Sequence, residues 1–262
     1  MEPFLPTHDF PTAPEKLDLQ GLYRRIWQGS FPKLADDPEM DHDLFYGSYI
    51  NTDLERDVRI LGQVGDLQRF FRFLRGAAAR TGQLLNYSDL ARDADVTVGT
   101  AKNYLSILIA SGLVTLLEPY FANRTKRMTQ APKLYFLDTG LCAYLTDWSS
   151  PETLEAGAMA GHIFETWCFA EILKSYRNSG KRPAFYFYRD FDQVEIDLVI
   201  EQDGVLYPVE MKKSSDPGRD AAKHFSKLEK FGKEVGMGAV VCMVRESSPL
   251  TRECRLIPAA SL

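Results

Sequence analysis

The sequence lacks the features that mark membrane, secreted and disulfide-stabilised proteins. No apolar run approaches the roughly 18 residues that a membrane span needs, and the proline-rich start lacks the basic and apolar regions of a signal peptide. The four cysteines and four histidines are scattered, without a CxxC spacing. This pattern argues against a disulfide framework or a zinc site. We therefore expect a cytoplasmic protein with reduced thiols and no membrane partner.

The chain also lacks a general excess of positive charge, since its formal net charge is −5 over 262 residues. This balance argues against a protein that coats nucleic acid over its whole surface. Positive charge is instead concentrated in two segments, residues 123–133 and 212–233. Phosphate contact requires local rather than total positive charge, so either segment is a candidate nucleic-acid contact. A solvated basic loop is the alternative for each.

The stretch EIDLVIEQDGVLYPVEMKK, residues 195–213, predicts a β-hairpin that brings two carboxylates together. Asp203-Gly204 is a two-residue turn signal flanked by β-rich runs, and a turn there places Asp197 directly opposite Glu210. Facing carboxylates repel by on the order of 0.2–1 kcal/mol relative to a neutral pair, so a compensating charge is expected. Strict alternation predicts an apolar layer on the opposite face, formed by Ile196, Leu198, Ile200, Val205, Tyr207, Val209 and Met211.

The predicted register places Glu195, Asp197, Glu210 and Lys212 on one face of the hairpin. Two interpretations of this charged face are open. In one, the face is solvated, and Glu195 forms an exposed ion pair with Lys212, which the same register places opposite it. In the other, Asp197 and Glu210 bind a hard divalent cation, Mg²⁺ or Mn²⁺. Lys212 would then orient an attacking water or neutralise an oxyanion at phosphorus. The spacing alone does not decide between them.

The first half of the chain predicts helices and then a helix-turn-helix. Amphipathic helical segments are expected within residues 15–35, 44–61 and 65–80. Two further helices, at about 88–94 and 97–112, are separated by a tight turn. Two β-like runs follow them and flank the basic loop, an order typical of a winged helix-turn-helix.

A DNA-binding winged helix would present the polar face of its second helix and the tip of its wing to DNA. The residues expected to pack inward from that helix are Val98, Ala101, Leu105, Leu108 and Ile109. The residues expected to face or contact DNA, with a lysine that follows the hairpin, are Thr100, Lys102, Asn103, Ser106, Arg124, Lys126, Arg127 and Lys213. Winged helices also serve as rigid connectors and protein-docking modules, which is the alternative function.

The second half of the chain changes to an α/β pattern from about residue 158. A helix with a broad apolar stripe is expected first. It is followed by strands at 184–189, 194–201 and 205–212, a basic helix at about 219–234, and strands at 238–244 and 254–257. This αβββαββ order predicts a central mixed sheet with helices on both faces. The expected fold class is α/β plus α, with a helical N-terminal or linker segment at 1–64, a winged-helix domain at 65–150 and an α/β domain at 151–262.

The α/β segment resembles the PD-(D/E)xK nuclease superfamily. The likeness is carried by Glu165 in the first helix, by Asp197, and by Glu210-Met211-Lys212, without a literal Pro-Asp pair at Asp197. The resemblance implies a restriction-endonuclease-like fold in which Asp197 and Glu210 bind Mg²⁺, Lys212 assists the water and Glu165 completes the site. An acid near a helix start is also favoured by the helix dipole, which gives Glu165 a purely structural explanation.

A wider resemblance extends from about Leu22 to Lys213. The stretches FYGSYINTDLERDVR, TAKNYLSILIASGLV, APKLYFLDTGL and GHIFETWCFAEIL are similar to the C-terminal region of bacterial and archaeal AAA+-type ATPases, a domain of unknown function. The resemblance implies that a P-loop ATPase domain normally precedes this region in the same polypeptide. No G-x-x-x-x-G-K-[ST] motif occurs here, so ATP hydrolysis is not expected of these residues. We expect a fragment that begins near the end of the ATPase lid.

Three functional hypotheses follow from these patterns. The first is Mg²⁺-dependent hydrolysis of DNA phosphodiester bonds by the C-terminal region of an AAA+-type ATPase. The second is a non-catalytic DNA- or protein-binding module that supplies an ATPase with its partner. The third is a scaffold for an ATPase homo-oligomer, which leaves both basic segments without a role.

Overall fold

The structure, a computed structural model, describes residues 2–11, 17–37, 39–62, 64–121 and 131–262. The chain forms two compact units. The sheet unit comprises Met1–Leu22, Leu117–Lys133 and Trp167–Leu262, and the helical unit comprises Tyr23–Leu116 and Leu134–Thr166. Every helix over the described ranges is too short or too polar to cross a membrane. The three-part division expected from the sequence stays a prediction.

The helical segments expected in the first half of the chain are present, with breaks at identifiable residues. The first two helices are separated at Gly29, which adopts a φ of +83°, and the second begins at Pro32. The sequence predicted breaks at both residues. A π-helical turn interrupts the segment expected at 44–61. In chain order the helices are α1 (Leu19–Gln28), α2 (Pro32–Asp36), α3 (His42–Tyr49), the π-helical turn (Ile50–Leu54), α4 (Glu55–Gly62), α5 (Leu67–Ala78), α6 (Tyr87–Asp93), α7 (Val98–Ala110), α8 (Thr139–Leu145), α9 (Pro151–Ala156) and α10 (Ala160–Asn178).

Polar side chains fix the starts of several of these helices. Asp41, Asp66, Asn86, Thr97 and Asp138 each accept a hydrogen bond from a backbone N–H of the following first turn. These groups have no partner inside a helix, so each cap satisfies an otherwise free donor. The cap at Thr97 marks the start of α7 after the tight turn that follows α6.

The buried face of α7 differs from the expected one at two positions. Val98 and Ile109, expected to pack inward, are each 41% exposed. The buried stripe is formed instead by Ala101, Tyr104, Leu105, Ile107 and Leu108. The Tyr104 ring contacts the rings of Phe70 and Phe73 on α5 at centroid distances of 5.1 and 5.6 Å. The side of α7 that carries Tyr104, rather than the side that carries Val98, therefore faces the core.

The sheet unit contains a mixed sheet, as expected from the sequence. Its strands are β2 (Val114–Pro119, whose end at Glu118 and Pro119 pairs with β4), β4 (Phe185–Arg189), β5 (Glu195–Gln202), β6 (Val205–Lys212), β7 (Glu234–Val235), β8 (Gly238–Cys242), β9 (Ser248–Pro249) and β10 (Cys254–Pro258). The order is β2-β4-β5-β6-β8-β10-β9, with β7 beside β6. The pairs β4–β5, β5–β6 and β9–β10 are antiparallel, and the other pairs are parallel. Two further short strands are β1 (Gln83–Leu84) and β3 (Lys133–Phe136).

The prediction of a basic α-helix at about 219–234 is wrong. The segment forms two 3₁₀ helices, Arg219–Ala222 and Phe225–Phe231, followed by β7. Its apolar residues recur at Phe225, Leu228 and Phe231, every third position, and a 3₁₀ helix has three residues per turn. This spacing places all three on one side, where they join the core cluster that covers one face of the sheet.

Helical layers lie on both faces of the sheet, as strand β4 demonstrates. The Tyr188 ring lies 6.0 Å from the Phe231 ring of the 3₁₀ layer. Phe185 has the opposite parity on the strand, and its ring lies 4.8 Å from that of Tyr176 on α10. Alternate side chains of a strand point to opposite faces, so the two contacts identify the two layers.

Candidate functional site

The hairpin formed by β5 and β6 has the register expected from the sequence. Asp203 and Gly204 have φ values of 53° and 84°. Positive φ at both central residues is characteristic of the type I′ turn that matches the twist of antiparallel strands. The paired residues run from Gln202 opposite Val205 to Leu198 opposite Val209. The turn thereby directs the beginning of β5 and the end of β6 to the same end of the hairpin.

The prediction of which hairpin residues share the apolar face is wrong at Ile196. Ile196 and Val199 lie in the same core cluster although they are three residues apart. Between the pairs Tyr186–Val199 and Tyr188–Ile196, strand β5 advances by one residue more than β4. An extra residue of this kind is a β-bulge, which leaves one residue unpaired and reverses the alternation beyond it. The bulge falls at the position of the candidate acid Asp197 and its neighbour.

Two buried carboxylates converge at this bulge. Asp197 is 8% exposed and Glu210 is 4% exposed. The backbone N–H of Met211 donates to Asp197 Oδ2 at 2.8 Å, and Asp197 lies near enough to Glu210 to raise the pKa of that carboxyl. A side-chain carboxylate therefore accepts from the backbone just beyond the last regular strand pair. This contact fixes the orientation of Asp197.

Burial makes Glu210 an unusually weak acid. Loss of water around the side chain, and secondarily the negative charge of Asp197, raise the pKa of Glu210 from 4.5 to about 9, while Lys212 lowers it. Two carboxylates in contact cannot both ionise cheaply in a site that excludes water. At neutral pH Glu210 therefore keeps its proton.

The ammonium group of Lys212 lies against this pair. Its Nζ is 2.6 Å from Glu210 Oε2 and 3.8 Å from Asp197 Oδ2. The Lys212 side chain is 44% exposed, so the cation reaches solvent while both acids are buried. A positive charge thus already stands beside both carboxylates, and it is carried by a side chain with room to move.

Glu195 is held by two cations that the sequence did not associate with it. Its Oε1 lies 2.5 Å from Lys133 Nζ, and its Oε2 lies 3.1 Å from Arg189 Nη1. The ion pair of Glu195 with Lys212 that the sequence suggested stays a prediction beside these two contacts. Lys133 was grouped with the basic loop, but its side chain is only 3% exposed. The contact with Arg189 could not be predicted from the sequence without knowledge of the bulge, because the bulge places Arg189 opposite Glu195.

The remaining candidate residues belong to one or other of the two units or lie outside the described ranges. Glu165 belongs to the helical unit, where it accepts a hydrogen bond from the Tyr135 hydroxyl at 2.6 Å. Lys102 and Asn103 are exposed on α7, with Lys102 Nζ 5.5 Å from the centre of the Tyr87 ring. Lys213, in the sheet unit, is half-buried. The expected wing residues Arg124, Lys126 and Arg127 lie outside the described residues.

The carboxylate pair fits a hard divalent cation in donor type but offers few ligands. Across the described ranges, no three or more His, Cys, Asp and Glu side chains form a group suited to holding a metal. Asp197 and Glu210 would supply two carboxylates. Mg²⁺ characteristically binds through one or two carboxylates and keeps several waters, so two protein ligands are sufficient for this ion.

Family models match both parts of the chain. Residues 19–152 match the model of a domain of unknown function, DUF8612, which covers about half of the sequence. The chain belongs to the DUF8612 family. Residues 160–262, which contain the carboxylate pair, match a second domain of unknown function, DUF4143. The expected relation to a domain-of-unknown-function family is thereby confirmed at this level, and the nuclease likeness stays a prediction.

Relatives of this DUF8612 chain occur in mycobacteria. Uncharacterized proteins of Mycobacterium tuberculosis and Mycobacterium bovis are each 31% identical to it over 198 residues. The aligned region is 74% of this chain and 43% of each relative, so the chain spans less than half the length of the curated relatives it matches. No solved structure matches the chain.

Proposed function

We propose that the sheet unit hydrolyses phosphodiester bonds of DNA with Mg²⁺ or Mn²⁺ held by Asp197 and Glu210. The observation that carries this proposal is the contact between two buried acids beside the Lys212 ammonium. Burial of two interacting carboxylates is costly, because the charged forms lose water and repel each other. A divalent cation would offset this cost by replacing the proton of Glu210.

The three side chains have distinct roles in this proposal. Asp197 is oriented by the Met211 N–H and offers its carboxylate as a fixed ligand. Glu210 becomes a ligand when it gives up its proton. A bound divalent cation supplies Lewis acidity and neutralises charge at the phosphate. Lys212, displaced outward from Glu210, is suited to holding the attacking water or the developing oxyanion.

The proposal extends to the rest of the chain and to its partners. The order of α6, α7 and two following strands supports a winged helix, and the restriction-endonuclease-like assignment of the sheet unit is supported by the mixed sheet and the place of the acids in it. Exposed Lys102 and Asn103, together with Lys213, are the described candidates for DNA contact. The mycobacterial relatives are more than twice as long as the aligned region, which leaves room for an ATPase domain in the same polypeptide.

Metal binding is the first test. Titration with Mn²⁺ by calorimetry should give binding by the wild-type chain that is lost in Asp197→Ala. The matched control is Asp216→Ala, since Asp216 is exposed and lies outside the carboxylate pair. Absence of binding by the wild-type chain at millimolar Mn²⁺, or equal binding by Asp197→Ala, would remove the basis of the proposal.

Cleavage is the second test. Single-stranded, duplex and branched DNA should be cut in the presence of Mg²⁺ or Mn²⁺, and Lys212→Ala should abolish the activity while leaving Mn²⁺ binding in place. The variant also controls for contaminating nuclease, because a contaminant would cut equally in both preparations. Metal binding without cleavage of any substrate would leave the site as a metal-binding site only and would refute the hydrolytic activity.

A non-catalytic binding module is the second candidate function. The contact that favours it is the position of Lys212 Nζ beside both Glu210 and Asp197, because this ammonium group already balances the acidic site without a divalent cation. This function predicts a steep decrease of DNA affinity with salt that becomes shallower when Arg124, Lys126 and Arg127 are neutralised. DNA binding that is absent or independent of salt would favour the scaffold.

A further inference from the structure

The helical unit contains a cavity that none of the preceding functions uses. Its volume is about 330 Å³, and its lining comes from α3, the π-helical turn, α5 and α8. Small-molecule sites in proteins typically enclose a few hundred Å³ and combine apolar walls with a few placed polar groups. A space of this size admits one small molecule or one nucleotide and is too small for duplex DNA.

Two arginines without ionic partners line the cavity. Arg72 and Arg75 lie one turn apart on α5, and both are exposed. Among the described residues, neither pairs with an acid, and no acidic side chain lines the cavity. Arg69, one turn earlier on the same helix, lies 3.1 Å from Asp66 and 3.2 Å from Asp95. The charge of Arg69 is therefore balanced within the protein, and the charges of Arg72 and Arg75 are not.

The walls of the cavity are aromatic and apolar. Phe71 and Tyr144 are half-buried, and Ile50 and Leu145 are buried beneath them. The Tyr144 ring is stacked on Tyr46 at a centroid distance of 5.9 Å, which fixes its plane. These surfaces suit a flat ring, which binds by stacking and by removal of apolar area from water.

Backbone features bring the lining elements close together. A Cβ at Gly47 would lie 3.1 Å from the Tyr144 hydroxyl, so the glycine permits α3 to approach α8 closely. The π-helical turn Ile50–Leu54 follows and contributes Ile50 and the amide of Asn51 to the lining. Single π-helical turns within helices occur frequently at functional sites.

We propose that this cavity binds a nucleoside phosphate, with the phosphate on Arg72 and Arg75 and the base against Tyr144 and Phe71. Guanidinium groups bind phosphate oxygens through paired, charge-assisted hydrogen bonds. An inorganic anion would use the arginines alone, and an apolar molecule would use the walls alone. The nucleoside phosphate uses both. It comes either from a free nucleotide or from the terminal nucleotide of a DNA strand.

The test measures binding of AMP to the full chain by calorimetry in the presence of EDTA, which removes divalent cations from Asp197 and Glu210. The binding experiment therefore does not depend on the proposed hydrolysis. AMP should bind more tightly than adenosine and than inorganic phosphate. Arg72→Gln combined with Arg75→Gln should weaken AMP binding by at least about tenfold, because charge-assisted hydrogen bonds are lost. Arg69→Gln is the matched control and should change the affinity less than twofold.

A second comparison identifies the source of the nucleotide. A 5′-phosphorylated oligodeoxyadenylate that binds more tightly than AMP, and more tightly than the same strand without its phosphate, assigns the cavity to a strand end. Tighter binding of AMP assigns it to a free nucleotide. The proposal is overturned by no AMP binding at millimolar concentration, by phosphate binding as tightly as AMP, or by a double variant that behaves like Arg69→Gln.

Discussion

Replacement of Glu210 by glutamine should change the way in which stability depends on pH. The folded chain raises the pKa of Glu210 from 4.5 to about 9, through burial first and the charge of Asp197 second. Between these two values the folded chain binds one proton more than the unfolded chain. The free energy of unfolding therefore decreases as pH rises through this window. Glutamine resembles the protonated acid in size and stays neutral, so Glu210→Gln should lose this contribution.

The change in the free energy of unfolding with pH is limited by the difference of one bound proton. A full difference of one bound proton changes the free energy of unfolding by about 1.4 kcal/mol per pH unit. From pH 6 to pH 8, wild type should thus lose up to about 3 kcal/mol relative to Glu210→Gln. The Lys212 ammonium opposes the rise of the Glu210 pKa and so reduces the difference in bound protons. We expect a loss in the same direction but below the limit.

The assay is urea unfolding of wild type and Glu210→Gln at pH 6, 7 and 8, with EDTA present. Glu234→Gln is the control, because Glu234 is exposed on β7 beside β6 and undergoes the same change of side chain. The difference between the Glu210 variant and wild type should grow with pH, and the control should follow wild type. A difference that stays constant, or that moves in the opposite direction as pH rises, would refute a protonated, buried Glu210.

Three further predictions concern the same hairpin. Mn²⁺ affinity should rise by up to about tenfold per pH unit between pH 6 and 8, because the cation must displace the proton of Glu210. Calorimetry in buffers of different ionisation enthalpy measures the number of protons released on binding. Lys133→Met should cost about 1–3 kcal/mol in urea unfolding, since Glu195 loses a buried partner, and an unchanged midpoint would contradict this role. Gly204→Ala should cost about 1–2 kcal/mol because its φ is +84°, whereas Gly218→Ala, also with open space around its Cβ but a negative φ, should be nearly neutral.

Local patterns in the sequence were sufficient for the hairpin and its register. Asp203-Gly204 fixes a type I′ turn through two positive φ values, and such a turn determines which residues face each other for several positions. The convergence of Asp197 with Glu210 follows from this turn alone. The positions of the first-half helices were likewise readable, because their apolar spacing and capping residues are local signals.

Contacts distant in sequence decided what local patterns could not. The bulge that moves Ile196 to the face of Val199 arises from the pairing of β5 with β4, and nothing within the β5–β6 hairpin encodes it. Lys133 changed from a presumed surface charge to a buried partner of Glu195, 62 positions later in the chain. The sequence by itself determined that two acids meet beside a lysine. Only the tertiary structure removed them from water, and burial is what turns a pair of ordinary carboxylates into a site that holds a proton at neutral pH.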